Sequence, residues 1–190
     1  MNAISMFNVI PVTGPHQGQG RICYICELGS APVAVAFIKP QSAQGTTLLE
    51  AIQKLYEKHR SLQAFIVFLA TSEEGLKQKL RALAEEKKLT VPLTVLPEGG
   101  LPDSIPVSPE AENAVLLYRG RQIVKKLENV NFETPFFFPP GSSSNLIGLS
   151  ANAPLDSPPT ALGVDAKTPL DSSATFMELD EAAADMLSRP

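Results

Sequence analysis

Two continuous apolar runs dominate the hydrophobic pattern, Val33-Ala34-Val35-Ala36-Phe37-Ile38 and Ala64-Phe65-Ile66-Val67-Phe68-Leu69-Ala70. Runs without polar alternation fit strands buried on both faces of a sheet. Between them the period changes: Leu48, Leu49, Ile52, Leu55 and Tyr56 fall on one face, with Glu50, Gln53, Lys54, Glu57 and Lys58 on the other. This spacing predicts an amphipathic helix from Thr46. A strand, helix, strand order of this length implies a right-handed parallel crossover, with the second strand central. Thr71 and Glu74 then form a capping-box pattern, and Leu76, Leu80, Leu83 and Ala84 mark a second helix that ends at Lys87-Lys88, where basic residues suit the helix dipole.

Leu89 to Leu96 alternates around Val91, Leu93 and Val95, but Pro92 lacks an amide donor, which predicts an edge strand or a short one. Pro97 to Pro109 reads as a loop. Ala114 to Tyr118 and Gln122 to Leu127 flank Arg119-Gly120-Arg121 and predict a β-hairpin. Up to about Val130 the order is βαβαβββ, an α/β sandwich with a mixed sheet. Upstream, Pro11, Gly14, Pro15, Gly18 and Gly20 give residues 1–20 the character of an irregular leader, in which any strand is short. The segment Arg21 to Glu27 holds two cysteines among Ile22, Tyr24 and Ile25, and Leu28 to Pro32 supplies turn chemistry before the first long strand.

Charge divides the chain more sharply than hydropathy does. Residues 1–133 carry 14 Lys and Arg against 13 Asp and Glu, a net of +1, whereas residues 134–190 carry 2 against 7, a net of −5. A near-neutral body without a basic cluster excludes the electrostatic footprint of nucleic-acid binding. No apolar run approaches the roughly 18 residues that a membrane span needs, so a soluble protein is expected. The first residues lack the basic and apolar regions of a secretory leader, which makes the cytoplasm the default expectation. Residues 21–133 are expected to form the folded domain, and 134–190 a Pro, Ser and Ala-rich acidic tail. Within it, 141 to about 173 is expected to be disordered. Phe176, Leu179, Ala183, Met186 and Leu187 fit a short acidic amphipathic helix over 174–187, formed alone or on a partner. Phe136 to Phe138 is expected to pack back on the sheet.

Cys23 and Cys26 are the only cysteines. Two thiols in a CxxC can close a small disulfide where the chain turns, and Arg21 nearby favours a thiolate. An extended strand would send positions i and i+3 to opposite faces and prevent it. Zinc would need two further ligands, and only His16 and His59 remain; no metal or cofactor is assigned. Both cysteines could equally be small apolar residues packing a strand. His16 reads as a solvated loop residue and His59 as a partner of a helix C-terminus. Glu73-Glu74 suits capping, Lys87-Lys88 and Lys125-Lys126 suit solvated edges, and Gly99-Gly100 matches no phosphate-cradling motif. No nucleophile and base pair is readable.

The element order, together with Cys23-Tyr-Ile-Cys26-Glu-Leu-Gly29, Pro32-Val-Ala-Val-Ala-Phe37, Val91-Pro-Leu-Thr-Val95 and Ala114-Val-Leu-Leu-Tyr118, resembles the thioredoxin-like superfamily. The extra strand before the hairpin is similar to its redoxin or peroxiredoxin-like branch, and these stretches resemble bacterial thioredoxin-fold proteins of unassigned function. The resemblance covers roughly residues 20–130 and implies a thioredoxin-like three-layer sandwich. It also implies a departure. In thioredoxins the CxxC follows the central strand and opens the next helix, but that slot is Lys39 to Thr47 and holds no cysteine. Counting the peroxiredoxin pattern from Pro40 puts Gln44 at the Thr position and Thr47 at the Cys position, which does not support a standard peroxidase. The family's cis-proline position falls near Asn113, and its peroxide-polarising arginine has no counterpart around Glu112 to Ala114. Two functions remain open. One is a thiol-disulfide oxidoreductase or redox-responsive protein in which Cys23 attacks and Cys26 resolves, with a protein disulfide as partner. The other is a catalytically silent protein-binding module with an acidic docking tail.

Overall fold

The computed structural model describes residues 3–71, 74–98, 100–130 and 176–188, all within one compact unit. Its elements are β1 (Ile10–Pro11), α1 (Tyr24–Leu28), β2 (Pro32–Ile38), α2 (Gly45–Lys58), β3 (Gln63–Thr71), α3 (Glu74–Glu86), β4 (Leu93–Leu96), β5 (Asn113–Arg119), β6 (Gln122–Glu128) and α4 (Phe176–Ser188). The six strands form one mixed sheet in the order β1-β4-β3-β2-β5-β6. β2, β3 and β4 run parallel, while β1, β5 and β6 pair antiparallel to their neighbours. The two apolar runs are the central pair, in register from Val33 opposite Gln63 to Ile38 opposite Phe68. Both faces of β2 are buried, as a run without polar alternation requires.

Each sheet face has its own cover. On one, Ala34, Ala36, Ile66, Leu93, Val115 and Leu117 pack under α2, α3 and α4. Both crossovers, β2 to β3 and β3 to β4, step in one direction along the sheet, so right-handed connections place α2 and α3 on the same side. On the other face, Val33, Val35, Phe37, Phe65, Val67, Leu116 and Tyr118 pack under Ile4, Phe7, Val9, α1 and Ile105 of the loop before β5. The leader therefore closes a core layer although β1, the strand it contributes, is two residues long.

Several local devices fix this arrangement. Gln53, expected on the solvent face of α2, is buried. Its amide donates to Glu57 Oε1 at 2.7 Å and Thr90 Oγ1 at 2.8 Å, and its carbonyl accepts from the Thr90 and Val91 amides at 2.9 and 3.1 Å. Full satisfaction of one buried amide thus ties α2 to the segment entering β4. Helix α3 ends with Lys88 at φ 53°; Leu89 N–H bonds Ala84 C=O at 2.9 Å and Lys88 N–H bonds Glu85 C=O at 3.3 Å, a Schellman closure. Strand β4 begins after Pro92 and is short, as expected, but β1 covers its outer edge. The β5–β6 hairpin turns through Gly120 and Arg121, both at positive φ, which matches the twist of a type I′ turn.

The acidic amphipathic segment near the C-terminus forms α4, and its apolar face is occupied by this chain's own core: Leu179, Ala183 and Met186 are buried. Glu178 pairs with Lys125 at 2.8 Å, and Asp180 pairs with Lys58 at 2.5 Å and His59 at 2.9 Å. Lys125 is therefore an ion-pair partner of α4 and not only a solvated edge. His59 caps α2, as its N–H to Leu55 C=O bond of 3.0 Å shows, yet its ring is directed to α4. The expected disordered stretch, Phe136 to Phe138 and the Ser72–Glu73 part of the capping box lie outside the described residues.

Candidate functional site

The two cysteines lie at the entrance to β2. Cys23 is the N-cap residue of α1, with extended backbone at φ −108° and ψ 93°. One helical turn brings position i+3 back beside it, so Cys26 lies over Cys23 and not on an opposite strand face. The sulfurs form a disulfide, with Cα atoms 5.3 Å apart. Cys26 N–H donates to Cys23 Sγ at 3.1 Å, while the Cys26 and Glu27 amides both bond Cys23 C=O at 3.1 Å. The five residues of α1 are too few to produce a readable hydrophobic period. The useful sequence signal was the turn chemistry of Leu28 to Pro32 immediately after the CxxC.

Packing holds this turn in place. Val9 and Ile22 exchange backbone hydrogen bonds of 2.8 and 2.9 Å, which fixes the chain just before Cys23 to the leader. Below the pair, Tyr24 stacks on Phe65 with ring centroids 4.9 Å apart, and Ile25 is buried. The Tyr24 hydroxyl has no hydrogen-bond partner; burial, and then the Glu27 carboxylate, push its pKa up to about 12. His16, expected to be a solvated loop residue, instead packs edge-on against Tyr24 and bonds Glu27 Oε1 at 2.9 Å. His16 and His59 belong to opposite faces of the sheet, so the four residues weighed for zinc are not brought together.

Cys26 is exposed and Cys23 half-buried. Cys26 opens into a cleft of about 450 Å³ lined by Met6, Ile25, Gly29, Ser30, Gly120 and Arg121. The leader, the end of α1 and the hairpin turn thus converge around Cys26. Sequence reasoning had no means of placing Met6 or Arg121 there, because both reach the cleft by tertiary packing: Ile4 N–H bonds Arg121 C=O at 2.8 Å. Arg21, proposed as the thiolate's helper, is exposed and does not line the cleft.

The slot that resembles the thioredoxin and peroxiredoxin active position lies at the other end of β2. There the Lys39 ammonium donates to Pro109 C=O at 2.7 Å, beside a cavity of about 580 Å³ whose lining includes Leu69, Leu96, Leu101, Ile105 and Val107. Thr47 lies in the first turn of α2. All peptide bonds among the described residues are trans. At the cis-proline position, Asn113 is buried and holds Val130 by two hydrogen bonds, of 2.7 and 3.2 Å.

No protein-family model matches the chain, and no curated protein matches it. Solved structures do. A secreted Mycobacterium tuberculosis disulfide oxidoreductase homologous to Escherichia coli DsbE aligns at TM-score 0.55 and 9% identity, over 94% of this chain and 95% of its own. A thiol:disulfide interchange protein DsbE from Chlorobium tepidum aligns at TM-score 0.52 and 12% identity, over 66% and 82%. An exposed lipoprotein thioredoxin from Streptococcus pneumoniae aligns at TM-score 0.51 and 13% identity, over 64% and 87%. The chain has the thioredoxin-like fold. More narrowly, it is a thioredoxin-fold protein with a displaced CxxC, closed as a disulfide. The expectation of a cytoplasmic protein is corrected by the same comparison. It rested only on the character of the first residues, whereas the structures sharing this fold include one described as secreted and one as an exposed lipoprotein. Disulfides persist in such oxidising surroundings.

Proposed function

We propose that this protein is a thiol-disulfide oxidoreductase whose redox centre is the Cys23–Cys26 pair and whose partners are protein thiols and disulfides. The observation that carries this reading is the disulfide's opening into a cleft formed by three separate chain segments. A cross-link serving only packing would have no need of an open approach to one sulfur. The neighbours described as disulfide oxidoreductases support the same chemistry on this fold. In the oxidising direction a partner thiolate attacks one sulfur of the pair and the other leaves as a thiolate. The partner's second thiolate then attacks its own sulfur in the mixed disulfide, which yields the partner's disulfide and the reduced pair. In the reducing direction the same steps run backwards. A standard peroxidase does not fit, since the Thr47 position carries no thiol.

The silent-module alternative loses its docking helix, because the apolar face of α4 already packs on this chain's own core; what remains of it is protein binding by the fold without exchange. The test is reduction of insulin disulfides by the full chain with glutathione as reductant. Acceleration over the glutathione control, lost in Cys26→Ser, is expected; a wild-type rate equal to the control overturns the reading.

A further inference from the structure

The two sulfurs are not equivalent. We propose that Cys26 exchanges with the partner and that Cys23 is the internal leaving group and resolving thiol, which reverses the order suggested by the sequence. This rests on the reading of the pair as a thiol-disulfide centre. Disulfide exchange requires the attacking sulfur to approach along the S–S axis, opposite the sulfur that leaves. Cys26 is exposed in the cleft between Met6, Gly29-Ser30 and Gly120-Arg121, so an incoming thiolate reaches it from solvent. Cys23 does not line that cleft. It packs against the core cluster that includes Tyr24, Ile25 and Phe65, directly after the Val9–Ile22 bridge in the chain.

The hydrogen bonding agrees with the access. When Cys26 is attacked, the electron pair of the breaking bond goes to Cys23 Sγ, which already accepts the Cys26 N–H at 3.1 Å. That donor stabilises the departing thiolate, and a better-stabilised leaving thiolate speeds exchange. The step is balanced: the partner thiolate forms a bond to Cys26 Sγ, the Cys26–Cys23 bond breaks, and the negative charge moves from the partner sulfur to Cys23. To re-close the pair, Cys23 attacks Cys26 Sγ and expels the partner as a thiolate.

The test uses oxidised, full-length wild-type protein and glutathione. Samples are acid-quenched at early times, alkylated, and cleaved after Tyr24 so that mass spectrometry reads each cysteine separately. Glutathione on Cys26 with the alkyl group on Cys23 is expected in at least about tenfold excess over the reverse. Equal labelling, or glutathione mainly on Cys23, overturns the assignment while leaving the oxidoreductase reading intact. No adduct on either sulfur and no glutathione disulfide formed, with normal reaction in denaturant, overturns both. As a second measurement, Cys23→Ala and Cys26→Ala are each reacted with glutathione disulfide at rising pH until each rate levels off, so that access and not ionisation decides the comparison. Cys26 should react about tenfold faster; equal rates, or a faster Cys23, contradict the proposal.

Discussion

The two ends of β2 stand about 20 Å apart along a seven-residue strand, and they are built differently. At the C-terminal end, where the thioredoxin resemblance places the chemistry, the chain turns through Lys39 to Gln44 into α2. Backbone bonds from Lys39 N–H to Glu112 C=O at 2.9 Å and from Ser42 N–H to Lys39 C=O at 2.9 Å close that turn. It offers a lysine and an apolar cavity but no thiol. At the N-terminal end, one turn of helix brings two sulfurs together, and the leader and the hairpin turn leave Cys26 exposed at a cleft. The difference teaches that the scaffold does not dictate where its cysteine pair lies. What the chemistry needs is a turn that brings i and i+3 together, a rigid strand behind it and access from one side.

The comparison breaks most directly by moving a thiol from one end to the other. Cys26→Ser should lower the rate of insulin disulfide reduction by at least about 100-fold, and adding Thr47→Cys to that variant should not restore it. Recovery in the double variant would show that the C-terminal end can carry the reaction. Next in size, Leu179→Ala empties a fully buried position under α4 and should cost about 2–4 kcal/mol in urea denaturation. Exchange measured per folded molecule should be unchanged, since α4 covers the face opposite α1; a parallel loss of activity would couple the helix to the site.

A smaller effect concerns the ion pairs that dock α4. The hydrogen bonds from Lys58 and then His59, which outweigh desolvation, hold the Asp180 carboxyl below its ordinary 3.8. A carboxylate depressed in the folded state contributes stability that is present above the unfolded value and lost as pH falls through the folded one. Asp180→Asn should therefore cost about 1 kcal/mol or less at pH 7, given exposure to solvent, with the difference vanishing in acid below the ordinary carboxylate range. A cost that persists there would point to packing. Smallest, Arg121→Gln should slow attack by an anionic thiol such as mercaptoethanesulfonate about threefold at low salt while leaving cysteamine unslowed. Equal slowing of both thiols would make Arg121 a purely structural part of the cleft.

Much of the fold was legible because its strongest signals are local. The apolar runs of β2 and β3, the 3.6-residue period of α2 and α3, the glycine of the hairpin turn and the spacing of α4 each correspond to an observed element. What escaped depends on contacts between distant segments. Ile4, Phe7 and Val9, interspersed with Ser5, Met6 and Asn8, are too few to show a period, yet they cover one side of the sheet. Gln53 is polar by type and buried by context, since its four hydrogen bonds come from Glu57, Thr90 and Val91. The cysteines were visible as a pair, but their unequal exposure depends on Met6 and the Gly120–Arg121 turn, residues that carry no chemical signal of their own.

The central claim is that the pair at the N-terminal end of β2 is a reversible redox couple, and thiol counting on the folded full-length chain across a series of glutathione buffers tests it most directly. Cys23 and Cys26 should appear together in one two-electron transition, with a tenfold change in the reduced-to-oxidised ratio for every 30 mV or so. A disulfide that stays closed at every glutathione ratio and opens only when the protein is unfolded would contradict the account and leave the pair a structural cross-link.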